Sequence, residues 1–530
     1  MAATVTPTES PAVPEALDAP RPGWSERIPT WVGAGALLVV LLAFSAYLRT
    51  RLISGQFWMD EAITTGIASH PLSQIPGVLR QDGAPPLYYL LLHFWIQAFG
   101  ASEAATHALS LLFGLLTVPV GMWSAWSLFG RRAGVMAGIL FATNAWLTRY
   151  AQETRMYELM ALLGLVATTA FIHAFVYRRR GYLIVFAVTE ALMLYTHGWG
   201  TFFGVGAVIA LIPVWRASDD RRGLVRDVVL AFAGAVILFI PWIPSFIFQA
   251  THTGAPWLAR PGFGAPILIS RDLLGGYQVA VALLLAVVAG LLPIARRRHG
   301  NLGQRTTLWT LIVLALGTLA VAWLSSQVTP AFISRYFAPV LAAILLLAAW
   351  GCARSGVIGW IAILASVYFV LNVSAYSQPN KSNMREVGGE MAPLLHPGDL
   401  VISGQPEQVP LAWYYLPDGL RYASTMGPVG DPRHMDWVDA LKRFQNANPA
   451  ATLAPLLASL KPGQRLLFVR PITQGVNNWV SPWTRLIRRR SAQWGAILSS
   501  DPHLTQIAWA PHSLTAGCCI DDSAVLYQVK

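Results

Sequence analysis

The chain has 530 residues, of which 55% are hydrophobic and 12% are charged. Soluble globular proteins carry about 25% charged residues, so this composition argues against a soluble enzyme and predicts a membrane protein. The formal charge of +12 at pH 7 comes largely from short arginine clusters between apolar runs. No basic surface motif with interleaved aromatic residues accompanies them, which argues against a nucleic-acid partner.

Residues 1–27 are rich in Pro, Ala, Thr and Glu and lack an apolar stretch. This composition predicts a disordered cytoplasmic tail rather than a signal peptide. Residues 28–376 then carry about eleven apolar runs near the roughly 18 to 20 residues that a bilayer core requires. The predicted spans are about 32–47, 104–129, 133–148, 156–177, 182–197, 200–214, 228–247, 274–295, 307–325, 337–353 and 357–375.

Arginine clusters set the predicted orientation, because short cytoplasmic loops are rich in Lys and Arg. Two apolar runs separate each pair of consecutive clusters from Arg131-Arg132 to Arg354, so every cluster can lie in the cytoplasm. This arrangement predicts a multi-pass protein of a bacterial inner membrane with a cytoplasmic N-terminus. Arg49 and Arg51 are exceptions, since they fall at the outer end of the first span.

The first outer loop, 50–103, contains the apolar run Leu87–Phe99. A helix of this length reaches about 20 Å, short of the roughly 30 Å hydrocarbon core, so we expect it to lie in the interface. Three cysteines predict no disulfide framework: Cys352 lies in an apolar run, and Cys518 and Cys519 are adjacent.

After the last span, residues 377–530 lose their apolar character and predict a small extracytoplasmic α/β domain. The predicted elements are a helix at Met384–Leu395 and strands at Asp399–Ser403, Arg465–Arg470 and Ala524–Val529.

Five polar segments fall on the outer side in this topology. They are Trp58-Met59-Asp60-Glu61, Gln81 to Tyr89, Gln152-Glu153-Thr154-Arg155-Met156-Tyr157, Tyr195 to Gly200 around His197, and Ser334-Arg335-Tyr336. Ionisable groups among apolar helices are costly, about 2.5 kcal/mol or more at mid-depth, and so usually line a functional cavity. The convergence of five segments therefore predicts a site on the outer face.

Each segment also has a structural interpretation. Asp60-Glu61 suits a solvated helix cap, and Glu153 can pair with Arg155. His197 can be a histidine between two helical spans whose ring nitrogens form structural hydrogen bonds. Arg335-Tyr336 can be an anchor at the membrane interface. No single segment decides between structure and function.

The order of these segments resembles the protein O-mannosyltransferase and aminoarabinose lipid A transferase group of the GT-C glycosyltransferases. Trp58–Glu61 resembles the group's acidic motif in the first outer loop, and Gly83–Tyr88 resembles its PPL-aromatic segment. The further resemblances are Phe99–Ala105, Phe129–Gly134, Gln152–Tyr157, Ser334–Pro339 and Asn383–Asp399. They cover about residues 50–400 in order, and nothing beyond about 405 contributes.

The resemblance implies an all-α polytopic GT-C fold of about eleven transmembrane helices with a small C-terminal α/β domain. It implies transfer of a sugar, such as mannose or arabinose, from a polyprenyl-phosphate donor to an acceptor hydroxyl on the outer side, with inversion. An envelope glycan, a glycolipid and a protein are all open as acceptors.

The resemblance also implies roles for individual residues. Asp60 is expected to act as the base, with Glu61 orienting it or binding acceptor hydroxyls. Arg335, Arg155 and His197 are expected to bind the donor phosphate. The residues expected to contact substrate are Trp58, Asp82, Tyr88, Gln152, Glu153, Tyr157 and Tyr336.

One departure from the group concerns the lysine that often precedes the two prolines and is thought to meet the donor phosphate. This chain has Gly83-Ala84 there, so phosphate binding must fall to arginine or histidine elsewhere, with Arg49 and Arg51 as further candidates. Arginine can meet the phosphate charge, so no metal is required. A divalent cation (Mg or Mn) at Asp60 and Glu61 is left open.

Three other functions stay open at this stage. A lipid-linked sugar flippase or exporter would use similar arginines but should contain broken helices or internal repeats. A wall-polymer polymerase or ligase usually relies on one large outer loop. A non-catalytic partner that binds lipid-linked glycan would need no base at all.

Overall fold

The computed structural model describes residues 30–296, 302–372, 381–473, 479–511 and 521–530. The predicted tail 1–27, the boundary near 376 and the pair Cys518-Cys519 lie outside the described residues.

The described residues from Thr30 to Asn372 are mainly helical, because long runs of Leu, Val and Ala satisfy their backbone hydrogen bonds internally. Its helices, α1 to α18 in chain order, are Thr30–Thr50, Met59–Ala68, Ile75–Asp82, Leu87–Phe99, Glu103–Phe129, Arg131–Thr143, Ala145–Tyr150, Tyr157–Phe171, Gly181–Thr196, Gly200–Ile209, Leu211–Ala217, Arg221–Phe239, Ile243–His252, Ala265–Leu274, Tyr277–Arg296, Leu302–Ser325, Ala338–Arg354 and Val357–Asn372. Single short turns of 3-10 or π helix occupy Ile172–Val176, Ile240–Trp242 and Ser334–Phe337.

Each predicted span coincides with helical structure, which confirms the polytopic helical class. Within the described ranges, seven helices are long and apolar enough to cross a membrane, or eight if the bent pair at 265–274 and 277–291 is one span. The remaining predicted spans correspond to α6 with α7, to α9 and to α18, which are shorter. The count of eleven and the orientation in the membrane therefore stay predictions.

Helices α8 and α17 form the centre of the bundle, and most of their residues are buried. Gly164 permits their close approach, since a Cβ at this position would lie 2.5 Å from the Cα of Pro339. A larger residue would push the two helices apart.

The C-terminal part is α/β, as predicted. Its helices, α19 to α23, are Met384–Met391, Val409–Tyr415, Ala440–Asn446, Pro449–Ala458 and Pro482–Ser500, and its strands, β1 to β6, are Leu400–Ser403, Arg421–Ser424, Gly427–Val429, Arg465–Pro471, Leu504–Ala510 and Asp522–Val529. The sheet order is β3-β2-β1-β4-β6-β5, with β1 parallel to both β2 and β4. The three predicted strands correspond to β1, β4 and β6, whereas β2, β3 and β5 were not predicted.

The α/β part packs on the first outer loop. Phe57 is fully buried, and its backbone N–H donates to the hydroxyl of Tyr415 at 2.8 Å. Its carbonyl accepts from Ser382 at 2.6 Å, and Arg385 pairs with Glu103 at 2.8 Å. These contacts hold the sheet beside helix α2, which carries Asp60 and Glu61.

Arg49 does not line the cavity described below, so the expectation that it could bind donor phosphate is wrong. It is fully buried at the end of α1, and Nη2 donates to the carbonyl of Phe141 at 2.7 Å. A Cβ atom added at Gly114 would lie 2.9 Å from Nη1 of Arg49 and 2.9 Å from Oε2 of Glu158. Arg49 therefore faces Glu158 across Gly114 inside the bundle.

Candidate active site

A cavity of about 680 Å³ lies between the helical part and the α/β part. All five predicted polar segments contribute to its wall. The predicted site residues that line it are Trp58, Asp60, Asp82, Glu153, Arg155, His197, Arg335 and Tyr336.

Asp60 and Arg335 form the centre of this wall. The Nη2 of Arg335 lies 3.6 Å from the Oδ2 of Asp60, and the two side chains are 16% and 22% exposed. The guanidinium also lies over the ring of Trp58, 5.3 Å from its centroid. Asp60 is at the first turn of α2, where the helix dipole favours a negative group. A carboxylate and an arginine thus share one partly hydrated surface.

Arg155 approaches Asp60 from a second segment. Its Nη1 donates to the backbone carbonyl of Asp60 at 3.2 Å and to the hydroxyl of Thr64 at 2.6 Å. Both of these partners are uncharged, and they hold Arg155 at the cavity wall. The Nε atoms of Arg155 and Arg335 have no hydrogen-bond partner among the described residues, which leaves capacity for an anion.

His197 lies between these arginines and a group of aromatic rings. Its ring is 4.7 Å from that of Tyr336, which in turn is 5.2 Å from that of Trp199. The Nδ1 of His197 accepts a hydrogen bond from the backbone N–H of Trp199 at 3.2 Å, so Nε2 carries the hydrogen. His197 can offer a ligand a hydrogen bond but not a charge.

Glu61 does not reach the cavity wall, although Asp60 does. It is fully buried, and its carboxylate meets Nε2 of His107 at 2.7 Å, Nζ of Lys381 at 2.7 Å and the backbone N–H of Thr154 at 2.8 Å. Burial alone would raise the pKa of Glu61, but Lys381 and His107 outweigh it and hold the pKa below its usual range. In this arrangement Glu61 cannot bind acceptor hydroxyls; it joins four segments beneath the cavity.

Three further predicted residues do not line the cavity either. Tyr88 is fully buried with its hydroxyl 2.8 Å from that of Ser110. Gln152 is buried and accepts from the backbone N–H of Leu52 at 2.7 Å. Tyr157 is buried, with its ring 5.0 Å from that of Tyr150. The structure gives all three packing contacts behind the wall instead of exposure to substrate.

Two more carboxylates do line the cavity. Glu153 pairs with Arg149 at 3.7 Å, not with Arg155 as the structural interpretation of the sequence held. Asp82 ends helix α3, and loss of hydration raises the pKa of its carboxyl to about 7, with Arg155 opposing and Asp60 adding to the shift. The ionisation of Asp82 therefore changes near neutral pH.

Sequence reasoning missed Lys381, which lines the cavity and pairs with Glu61 beneath the wall. A signal was present: Lys381 is one of four lysines in the sequence and follows the last predicted span. It also missed the wall that the α/β part contributes, for which no motif was recognised. The residues of that wall with polar or aromatic side chains include Gln405, Glu407, Trp437, Trp479, Thr484 and Asp521.

A divalent cation shared by Asp60 and Glu61 does not fit this geometry. The carboxylate of Glu61 is directed away from the cavity, and both of its oxygens already accept hydrogen bonds. A cation in the cavity would need Asp60 together with other lining oxygens. That the reaction requires no metal stays a prediction.

Solved membrane enzymes share this architecture. ArnT from Cupriavidus metallidurans bound to undecaprenyl phosphate matches with a TM-score of 0.61 and 14% identity, over 94% of this chain and 98% of that chain. The apo state of the same enzyme matches with a TM-score of 0.59 and 15% identity over the same shares. The Archaeoglobus fulgidus oligosaccharyltransferase complex with Zn and sulfate matches with a TM-score of 0.53 and 13% identity, over 82% of this chain and 67% of that chain.

Sequence comparison adds nothing to this result, since no protein-family model and no curated protein matches the chain. The structural neighbours are GT-C glycosyltransferases. The chain therefore has the GT-C fold, which confirms the resemblance read from the motifs at the level of the fold.

Proposed function

We propose that this protein is a membrane glycosyltransferase that moves a sugar from a polyprenyl-phosphate donor to an acceptor hydroxyl. One observation carries the proposal: the carboxylate of Asp60 lies 3.6 Å from the guanidinium of Arg335 inside a cavity of about 680 Å³. Such a pair offers a base beside an anion-binding group, which is what this transfer needs. The setting is a bacterial inner membrane, with the cavity on its extracytoplasmic side.

Arg335 and Arg155 bind the donor phosphate in this mechanism. Guanidinium groups form paired, charge-assisted hydrogen bonds with phosphate oxygens, and the neutral Nε2–H of His197 adds one more donor. The phosphate competes with Asp60 for Arg335. Donor binding thus frees oxygens of the Asp60 carboxylate to accept the proton of an incoming hydroxyl.

The chemical step is a single displacement. Asp60 takes the proton of the acceptor hydroxyl while the oxygen attacks the anomeric carbon of the donor sugar. The bond from that carbon to the phosphate oxygen breaks, and its electron pair leaves with the polyprenyl phosphate. The configuration at the anomeric carbon inverts, and the arginines stabilise the charge on the leaving phosphate. Mannose and arabinose are the donor sugars we would test first.

The wall from the α/β part suits the acceptor. Trp437 and Trp479 offer aromatic faces, and Gln405 and Glu407 offer amide and carboxylate groups; the one lysine of that part among the described lining residues, Lys381, is paired with Glu61. An uncharged, hydroxyl-rich acceptor such as an envelope glycan or the sugar of a glycolipid fits these groups better than an anionic one.

Transport or scaffolding would also use an amphipathic cavity, and a substitution at the base separates them from transfer. We expect Asp60→Asn to lower turnover with a polyprenyl-phosphate sugar by about 10²- to 10⁴-fold, the usual contribution of a positioned base. Binding of undecaprenyl phosphate, measured with the purified protein in detergent, should stay within a few-fold of the parent.

Asp219→Asn is the matched control, because Asp219 is exposed and does not line the cavity. It should leave both measurements unchanged. Full turnover in Asp60→Asn would remove Asp60 as the base. Loss of lipid binding together with turnover would point to a structural function for Asp60.

A further inference from the structure

A second cluster of polar side chains lies outside the cavity wall, where the loop 431–434 of the α/β part meets helix α2. His70 follows the end of α2 and is 1% exposed, while Asp431 and His434 are half-buried. One nitrogen of each histidine and a carboxylate oxygen of Asp431 all lie within 4.8 Å of one another. The mechanism above uses none of these residues.

The hydrogen bonds of His70 determine which of its nitrogens faces the cluster with a lone pair. Nδ1 lies 2.9 Å from the carbonyl of Gly66 and 3.1 Å from that of Ile67, so Nδ1 carries a hydrogen. The Nε2 of a neutral His70 then directs a lone pair at Oδ2 of Asp431, 2.8 Å away. Two acceptors this close require a proton or a metal ion between them.

His434 shows the same division of its two nitrogens. Nε2 lies 3.3 Å from Oε1 of Gln81 and can donate to it. Nδ1 is buried and has no hydrogen-bond partner among the described residues. A donor nitrogen held by an oxygen, with the other nitrogen left for a ligand, is the usual arrangement of a metal-bound histidine.

We propose that His70, Asp431 and His434 form a binding site for a zinc-type divalent transition metal. Two imidazoles and one carboxylate, with water in the fourth position, are a common zinc ligand set. Ligands roughly 2.0–2.1 Å from a tetrahedral ion lie about 3.4 Å from one another. In the structure Nε2 of His70 and Oδ2 of Asp431 are 2.8 Å apart, and no two ligand atoms of the cluster are more than 4.8 Å apart. These distances lie on either side of about 3.4 Å, so small side-chain adjustments suffice.

Arg433 both supports and limits the site. Its guanidinium donates to the two oxygens of Asp431 at 2.9 and 2.8 Å and so fixes the carboxylate. The same positive charge opposes a cation, and we expect an affinity below that of a structural site with four protein ligands.

The bound ion would fasten the α/β part to the first outer loop. The loop already approaches α2 so closely that a Cβ added at Gly66 would overlap the carbonyl of Arg433. The backbone N–H of Trp437 donates to the carbonyl of Gln81 at 3.0 Å. Metal binding at this junction would stabilise the closed arrangement of the two parts over the cavity.

The test uses the full chain with an affinity tag that contains no histidine. Protein stripped with EDTA is titrated with ZnCl₂, and bound metal is measured after desalting; CoCl₂ gives a visible spectrum that reports tetrahedral coordination. The parent should bind one equivalent and melt at a higher temperature with zinc. His434→Ala should lose both effects, and Gln81→Ala should weaken binding by about 10- to 100-fold.

His396→Ala is the control, since His396 lies elsewhere in the α/β part with a 65% exposed side chain; it should bind like the parent. Equal metal uptake by the parent and His434→Ala, or no uptake by either, would overturn the proposal and leave His70 and Asp431 as an ion pair. Gln81→Ala keeps the test decisive if His434→Ala does not fold.

Discussion

Asp60 and Glu61 are neighbours in the sequence but belong to two different regions of the molecule. Asp60 lies in the cavity wall, partly exposed and facing Arg335. Glu61 lies beneath the wall, fully buried among Lys381, His107 and the backbone of Thr154. Adjacent helical positions point about 100° apart, so one acidic motif serves both regions.

The comparison teaches that polar groups with unused hydrogen-bonding capacity mark the surface that binds substrate. Polar groups whose hydrogen bonds are all made mark the structural support beneath it. Around Asp60 the Nε atoms of Arg155 and Arg335 have no hydrogen-bond partner among the described residues. Around Glu61 every oxygen has a partner, and those partners come from segments far apart in the chain. Four substitutions can break or sharpen this contrast.

The largest effect on folding is expected from Glu61→Gln. Removing one partner of a buried ion pair leaves an uncompensated charge on Lys381 and costs about 3–5 kcal/mol. Unfolding followed by intrinsic tryptophan fluorescence in detergent measures this cost. Asp60→Asn is the paired comparison; its partly exposed ion pair contributes about 0–1 kcal/mol. Equal losses in the two variants would show that the regions do not differ.

Glu158→Gln tests a second buried support, in the helical part. It removes the acidic group that faces Arg49, and a buried unsatisfied group costs about 1–3 kcal/mol. The double variant Arg49→Gln with Glu158→Gln should regain part of the melting temperature. If the double variant loses as much stability as the two single variants together, Arg49 and Glu158 do not interact.

Arg335→Lys tests the cavity wall while keeping its charge. Lysine cannot form the paired hydrogen bonds of a guanidinium or stack on Trp58 in the same way. We expect the affinity for undecaprenyl phosphate to fall by about tenfold, roughly 1.4 kcal/mol, with little change in unfolding. An unchanged affinity would move the phosphate site away from Arg335.

Asp82→Asn is expected to change the pH dependence of stability instead of a single free energy. Burial raises the pKa of this carboxyl from 3.8 to about 7, so the folded parent loses stability as pH rises from the lower value to the higher. Asp82→Asn lacks this loss. The melting temperature of the variant relative to the parent should therefore increase up to about pH 7 and stay constant above it; a difference independent of pH would contradict the shift.

The sequence predicted the helical class, an apolar run that forms helix Leu87–Phe99, and the meeting of five polar segments. These features follow from hydropathy, from the even number of apolar runs between arginine clusters, and from local periodicity. The interfacial position of helix Leu87–Phe99 stays a prediction. Strands β1, β4 and β6 were also predictable, since each follows a turn signal or carries an apolar run. Strand β2 also follows a turn signal, Pro417-Asp418-Gly419, so it was predictable as well, whereas β3 has only three residues and pairs with β2.

What the sequence could not provide depends on contacts between distant segments. Lys381 reaches Glu61 across 320 residues, and Arg49 meets Glu158 inside the bundle. No local pattern distinguishes a buried glutamate with four partners from an exposed one. The same limit hid the cavity wall of Gln405, Glu407 and Trp479, which the fold of the α/β part brings together.

The most direct test of the central claim is a density map of the protein with bound undecaprenyl phosphate. We predict a phosphate within hydrogen-bond distance of Arg335 and Arg155, with the Asp60 carboxylate on the same side of the cavity. A phosphate bound elsewhere, with the ion pair of Asp60 and Arg335 intact and out of its reach, would contradict the account.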